Sequence, residues 1–183
     1  MLRAVLLDLE AWGGVEVTTT LDRRWPPVDL PARRLVPLDP ERYLPALREL
    51  ARECSAALLI APESGGVLAR LSREIESLGV PLLGASASAV SIAGDKWQCY
   101  QLFRQSAIPT PETRLVTAAD ALGGAAGLEP PWVVKPRDGA GAEGVHLVAG
   151  PASLGAAETL ARLGLGEWLL QPYIAGVPAS VSL

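Results

Sequence analysis

Two short apolar runs with a helical-period segment between them constrain this chain most. Ala56–Ala61 (AALLIA) is continuous and apolar, the pattern of a strand buried on both faces. Ser64–Leu78 then places Val67, Leu68, Leu71, Ile75 and Leu78 on one helical face, and Gly79 supplies a stop. Val80–Leu83 reads as a second strand. A strand, a helix and a strand in this order demand a parallel pairing with a right-handed crossover. The segments before them extend the pattern. Residues 2–12 have helical spacing, Val15–Leu21 alternates like a strand, Arg34–Leu38 is a further strand and Pro40–Arg52 an amphipathic helix. The fold class expected is α/β, with a doubly wound parallel sheet over residues 1–85.

The second half has another rhythm. Ser86–Ala93 and Asp95–Ser106 read as helices broken at Gly94, with Asp95 as N-cap. Ile108-Pro-Thr-Pro-Glu112 must be extended, because each proline pushes its predecessor out of helical geometry. Strands are expected at Thr113–Val116, Pro131–Pro136, Val145–Val148 and Glu167–Ile174, a helix at Ala152–Leu163, and the start of a last strand at Ala179–Leu183. Residues 86–112 thus form a helical linker to an α+β subdomain at 113–183.

Composition narrows the function classes. The chain is 49% apolar and 20% charged, so it has ample surface to bury. The net charge is −4, with basic residues scattered, which argues against a nucleic-acid partner. No apolar run spans a bilayer, and Asp8 and Glu10 interrupt any leader-like segment. A cytoplasmic protein with no membrane partner is expected. Cys54 and Cys99 form no CxxC pair, and His146 stands alone, so no metal cluster is suggested. The Arg-Arg pairs in the proline-rich segment 22–34 read as a solvated loop.

The basic residues are 14 Arg but only 2 Lys, Lys96 and Lys135. Guanidinium does not replace a compact ammonium at every site, so the places where lysine persists carry information. Lys135 lies on the strand feeding a glycine-rich loop, RDGAGAEG (137–144), with Gly139, Gly141 and Gly144. Such a loop is an ordinary hairpin connection or a nest of N–H groups for phosphate oxygens. A strand follows it, so it is neither a Walker A loop nor a Rossmann turn. Lys96 opens a helix behind Gly94-Asp95.

Four ordered segments, GDKWQCYQLFRQSAIPTPET (94–113), PPWVVKPRDGAGAEGV (130–145), WLLQPYI (168–174) and GVPASVSL (176–183), resemble the ATP-grasp ligases. The resemblance covers about residues 55–183. It implies a pre-ATP-grasp Rossmann-like domain at 1–85, and a nucleotide-binding subdomain in which Lys96 and Lys135 contact ATP phosphates. It further implies that the 139–144 loop closes over the phosphates, and that Gln171, Tyr173 and Ile174 belong to a hinge reading the adenine edge. The activity implied is joining a carboxylate to an amine through an acyl phosphate, with Mg²⁺ assisting; the alternatives are another amino-acid or peptide ligase of the family, or a nucleotide-binding or interaction protein without catalysis. Small-molecule substrates would be the partners, and a homo-oligomer is compatible with them. APESGGVLARL (61–71) and GVPASVSL resemble the tyramine–glutamate ligase branch, which makes a methanofuran-type cofactor.

There are departures from that pattern. Gln171 stands where Glu is common, and Pro178 near a position often occupied by a ribose-binding Glu. After Gly144 the only acids are Glu158 and Glu167, which form no metal pair. The expectation is a chain without the C-terminal metal-binding half and without the first domain's opening strand. Glu63 is either a carboxylate for a substrate ammonium or an acid favoured by a helix start. Trp132, Trp168, His146 and Cys99 are expected to pack without doing chemistry.

Overall fold

In the computed structural model the described residues are 2–26, 28–117, 120–150, 166–177 and 179. They form two compact units. The expected helix Ala152–Leu163, Glu158, Pro178 and most of Ala179–Leu183 lie outside the described residues.

The first unit comprises Met1–Ala61 and Arg70–Ala87. Helix α1 (Leu2–Trp12) ends at Gly13, whose φ of +67° costs a glycine little. Strands β1 (Thr18–Asp22) and β2 (Arg34–Leu38) pair in parallel, from Thr18 opposite Arg34 to Asp22 opposite Leu38. Helix α2 (Tyr43–Arg52) buries Leu50 and Ala51, and α3 (Val67–Ser77) carries the fully buried Ile75 into this unit. Arg48 binds Glu74 at 2.5 Å, and the Glu76 carboxylate accepts from Ala87 N–H at 2.8 Å.

Three expectations need correction here. The alternating stretch starts its strand at Thr18, not Val15, which is exposed. The helix expected from Pro40 starts at Tyr43. The runs 56–61 and 80–83 are not strands. They share one parallel bridge, Ala57 with Leu82, in which Ala57 N–H donates to Pro81 O and Leu83 N–H to Ala57 O. The next bond of that ladder toward Ser55 would need an N–H on Pro81, which has none. On the other side Leu58 and Ile60 remain 44% and 38% exposed, so the run is not buried on both faces. The parallel, α/β character of the unit stands.

The second unit comprises Pro62–Ala69 and Ser88–Leu183. Its sheet is antiparallel, with strand order β3-β6-β4-β5: β3 (Arg114–Val116), β6 (Trp168–Pro172), β4 (Trp132–Pro136) and β5 (His146–Val148). Helices α4 (Ala87–Ala93) and α5 (Lys96–Gln105) precede it. Trp132, Val134, Val116, Val148, Leu170, Ala125 and Leu128 make the core, with Trp168 packed against it. Trp132 is 3% and Val134 0% exposed, while Val133 and Lys135 alternate to the other face. Trp132 satisfies its indole by donating to Leu128 O at 3.1 Å.

A four-residue helix, α6 (Ala121–Gly124), lies between β3 and β4 and has no signal in the sequence, since Gly-Gly is a poor helix former. Its Gly124 is required by space. A Cβ there would sit 2.5 Å from Val116 Cγ1. Gly124→Ala should therefore destabilise the second unit by about 1–3 kcal/mol through overpacking, read as a lower urea midpoint. An unchanged midpoint would show that Val116 yields freely.

Candidate functional site

The site is built where α5 begins and β4 ends, both within the second unit. Asp95 caps α5 as its position predicts, accepting from Trp97 N–H at 3.0 Å and Gln98 N–H at 3.1 Å. Capping fixes Lys96 at the first helical position. Lys96 N–H donates to Arg137 O at 3.2 Å, and its Nζ donates to Gly139 O at 2.6 Å. The lysine on the helix thus reaches the glycine loop 43 residues away.

Lys135 reaches the same place from the sheet. It stands opposite the fully buried Leu169 of β6, and is itself part-buried. Burial, and then the nearby Lys96 ammonium, push the Lys135 amine below its ordinary value. The seven ion pairs found among the described residues are all made by arginines. Lys96 and Lys135, neither of them ion-paired among the described residues, make this end of β4 a candidate site for an anion.

The loop is held at its start. Asp138 accepts from Gly65 N–H at 2.7 Å, within the 3-10 turn Ser64–Gly66. Gly139, Gly141 and Gly144 all have positive φ, and so does Ala142 at +60°. At Gly144 a Cβ would also meet the Pro136 ring at 3.3 Å, so this glycine serves both conformation and close approach. Arg137 binds Asp95 with Nε and Nη2, and Glu167 with Nη1 at 2.7 Å. Asp95 is held well below the usual carboxylate range, first by the Arg137 fork.

Comparisons with known proteins give this geometry its context. A pre ATP-grasp 3 domain matches residues 15–90, and an ATP-grasp domain matches residues 93–183. The chain belongs to the ATP-grasp superfamily. A D-alanine--D-alanine ligase from Synechococcus sp. (strain JA-3-3Ab) is 31% identical over 151 residues, covering 80% of this ATP-grasp chain and 47% of the relative. A tyramine--L-glutamate ligase from Methanocaldococcus jannaschii is 44% identical over 57 residues, covering 31% of this chain and 18% of the relative. The biotin carboxylase domain of a Hydrogenobacter thermophilus 2-oxoglutarate carboxylase, solved as a dimer with MgADP, ADP and bicarbonate, superposes with a TM-score of 0.70. It covers 94% of this chain and 42% of its own at 17% identity, a likeness of fold. The ATP-grasp chain spans about half the length of the curated relatives it matches.

The remaining sequence-predicted residues fall at two places. Gln171 is on β6, and its amide donates to the buried Thr113 hydroxyl at 2.6 Å, tying β6 to the linker before β3. Tyr173 N–H donates to Pro131 O at 2.8 Å, while the side chains of Tyr173 and Ile174 stay exposed. Glu63 does not end a strand, because none forms at 56–61, and it makes no side-chain cap to the turn it precedes. The premise that placed it at a strand's carboxyl end is lost. Among the described residues no three His, Cys, Asp or Glu side chains converge as a metal requires. Cys99 donates to Ile92 O at 3.2 Å, and burial pushes its thiol up. The His146 ring lies tilted beside Trp168, ring centroids 6.4 Å apart. No helix among the described residues is long and apolar enough to cross a membrane.

Two participants carry no simple sequence signal. Arg137 and Asp138 look like polar residues of a turn, yet their partners lie 42 and 73 residues away.

Proposed function

We propose that this chain carries the nucleotide-binding part of an ATP-dependent carboxylate–amine ligase. The observation that carries the reading is the Lys96–Lys135 pair, two cations without ion-pair partners among the described residues, Lys96 bonded to the glycine loop, in a chain of this family. Lys96 and Lys135 would bind the phosphate oxygens of ATP, the N–H groups of 139–144 would cover them, and the 171–174 segment would border the base. ATP supplies the phosphoryl group that activates a carboxylate for attack by an amine. Lys96 and Lys135 would hold positive charge where phosphate charge gathers. Mg²⁺ accompanies the nucleotide in the solved carboxylase relative. This chain's own contribution to neutralising the phosphate charge is assigned to the two lysines.

The substrates proposed are small amino acids or amines, handled in the cytoplasm. The D-alanine--D-alanine ligase relatives favour an amino-acid pair across most of the chain. The local 44% identity to a tyramine--L-glutamate ligase favours glutamate with tyramine as the second reading. Dimers of a relative make a homo-oligomer part of the proposal. The test is ADP release by the protein with its natural flanking sequence, offered D-alanine, or glutamate with tyramine, at fixed ATP and Mg²⁺. Amine-dependent ADP release of at least about tenfold over the background without amine is expected for one set. No amine dependence with any amino acid offered would reject the ligase reading.

A further inference from the structure

Two carboxylates neighbour the lysines along the chain and the sheet. Asp95 directly precedes Lys96, and Glu167 directly precedes β6, whose Leu169 lies opposite Lys135. Either could pair with a lysine or repel an incoming phosphate. Neither has a lysine partner among the described residues. Arg137 engages both at once: Nε to Asp95 Oδ1 at 2.9 Å, Nη2 to Asp95 Oδ2 at 2.5 Å, and Nη1 to Glu167 Oε2 at 2.7 Å. Its own backbone is fixed on both sides, since its N–H donates to Glu167 O at 3.2 Å and its O accepts from Lys96 N–H. A lysine in its place could not fork across two carboxylates.

We infer that Arg137 is a positioning residue of the anion site, acting through Asp95 and Glu167: it keeps both carboxylates off Lys96 and Lys135, so that the two ammonium groups face the ligand uncompensated. The inference rests on the nucleotide reading above and adds to it a residue that does not touch the phosphates. Arg137 is also a staple between α5, β4 and β6, and the two roles predict opposite signs for one substitution. Asparagine caps a helix as well as aspartate does. Asp95→Asn therefore keeps α5 in place while removing one negative charge. If Arg137 shields charge, Asp95→Asn tightens anion binding, by about two- to fivefold for one charge lost near the site. If Arg137 only staples, the weakened fork loosens the site and binding falls.

The experiment titrates inorganic triphosphate, without metal, into the 15N-labelled protein, and repeats the titration with ATP. Arg137→Gln should weaken triphosphate binding about tenfold, because two carboxylates are released beside the lysines. Arg137→Lys should fall between. Asp95→Asn/Arg137→Gln should recover to within about threefold of the unsubstituted protein. A double variant as weak as Arg137→Gln, or an Asp95→Asn protein that binds more weakly than the parent, overturns the inference and leaves the nucleotide reading in place. A parent protein that binds neither triphosphate nor ATP overturns the nucleotide reading, and the inference with it. Circular dichroism melts accompany each variant. Should Arg137→Gln not fold, the sign of the Asp95→Asn change decides alone.

Discussion

Replacing Lys135 with methionine is expected to weaken ATP binding by about ten- to a hundredfold, the loss of one charge-assisted hydrogen bond of roughly 1.5–3 kcal/mol. Lys96→Met should cost as much, and should also free the glycine loop, because Lys96 Nζ holds Gly139 O at 2.6 Å. The two variants differ in stability. Lys135 is half-buried, repelled by Lys96 and without an ion-pair partner among the described residues, so the folded chain carries its charge at a cost. Methionine has a similar stem and no charge. Lys135→Met should therefore melt at the same temperature as the parent or higher, while binding less ATP. Lower affinity with undiminished stability is the expected trade at a site kept for function. Calorimetric titration with ATP and a thermal melt on the same samples check both halves. Parent-like ATP affinity in both lysine variants would sink the phosphate assignment.

The site was partly legible because its strongest signal is a matter of residue choice. With arginine nearly everywhere else, the persistence of lysine at 96 and 135 marks positions, and the Asp95 cap and β4 alternation are local patterns that sequence carries directly. The second unit's strands were legible as short β-rich runs, and Trp132 packs inward as expected. Failures arose where the deciding partner is distant. AALLIA has the composition of a buried strand, but its ladder depends on the run at 80–83, where Pro81 lacks a donor. The Arg137 fork joins residues 30 and 42 positions away, and a single arginine in a polar turn says nothing of them. Likewise the Gly65–Asp138 bond links segments read separately, one as a helix start and one as a loop. Local periodicity carries no information about such closures; only the fold brings them together.

The largest expected loss of stability lies at Leu170. It sits in β6, which is hydrogen-bonded on both sides, to Arg114 of β3 and to Val134 of β4. Its side chain is 1% exposed in the core cluster with Val134 and Trp132. Leu170→Ala removes three carbons where neighbouring strands cannot close the gap, so about 2–5 kcal/mol should be lost. For a unit of this size each kilocalorie lowers the melting point by roughly 4–8 °C. The effect should reach function, because the next residue, Gln171, ties β6 to Thr113 and the chain then runs into Tyr173 and Ile174. A fitting control is Leu147→Ala on β5, where the side chain is 62% exposed, with an expected change within about 0.5 kcal/mol. Urea unfolding of both variants, followed by tryptophan fluorescence, separates the two. Trp132 and Trp168 sit in or against this core and will report its loss. Equal urea midpoints for Leu170→Ala and Leu147→Ala would mean that β6 is not the spine of this unit. Residues 171–174 would then have to be held in place by something other than the sheet.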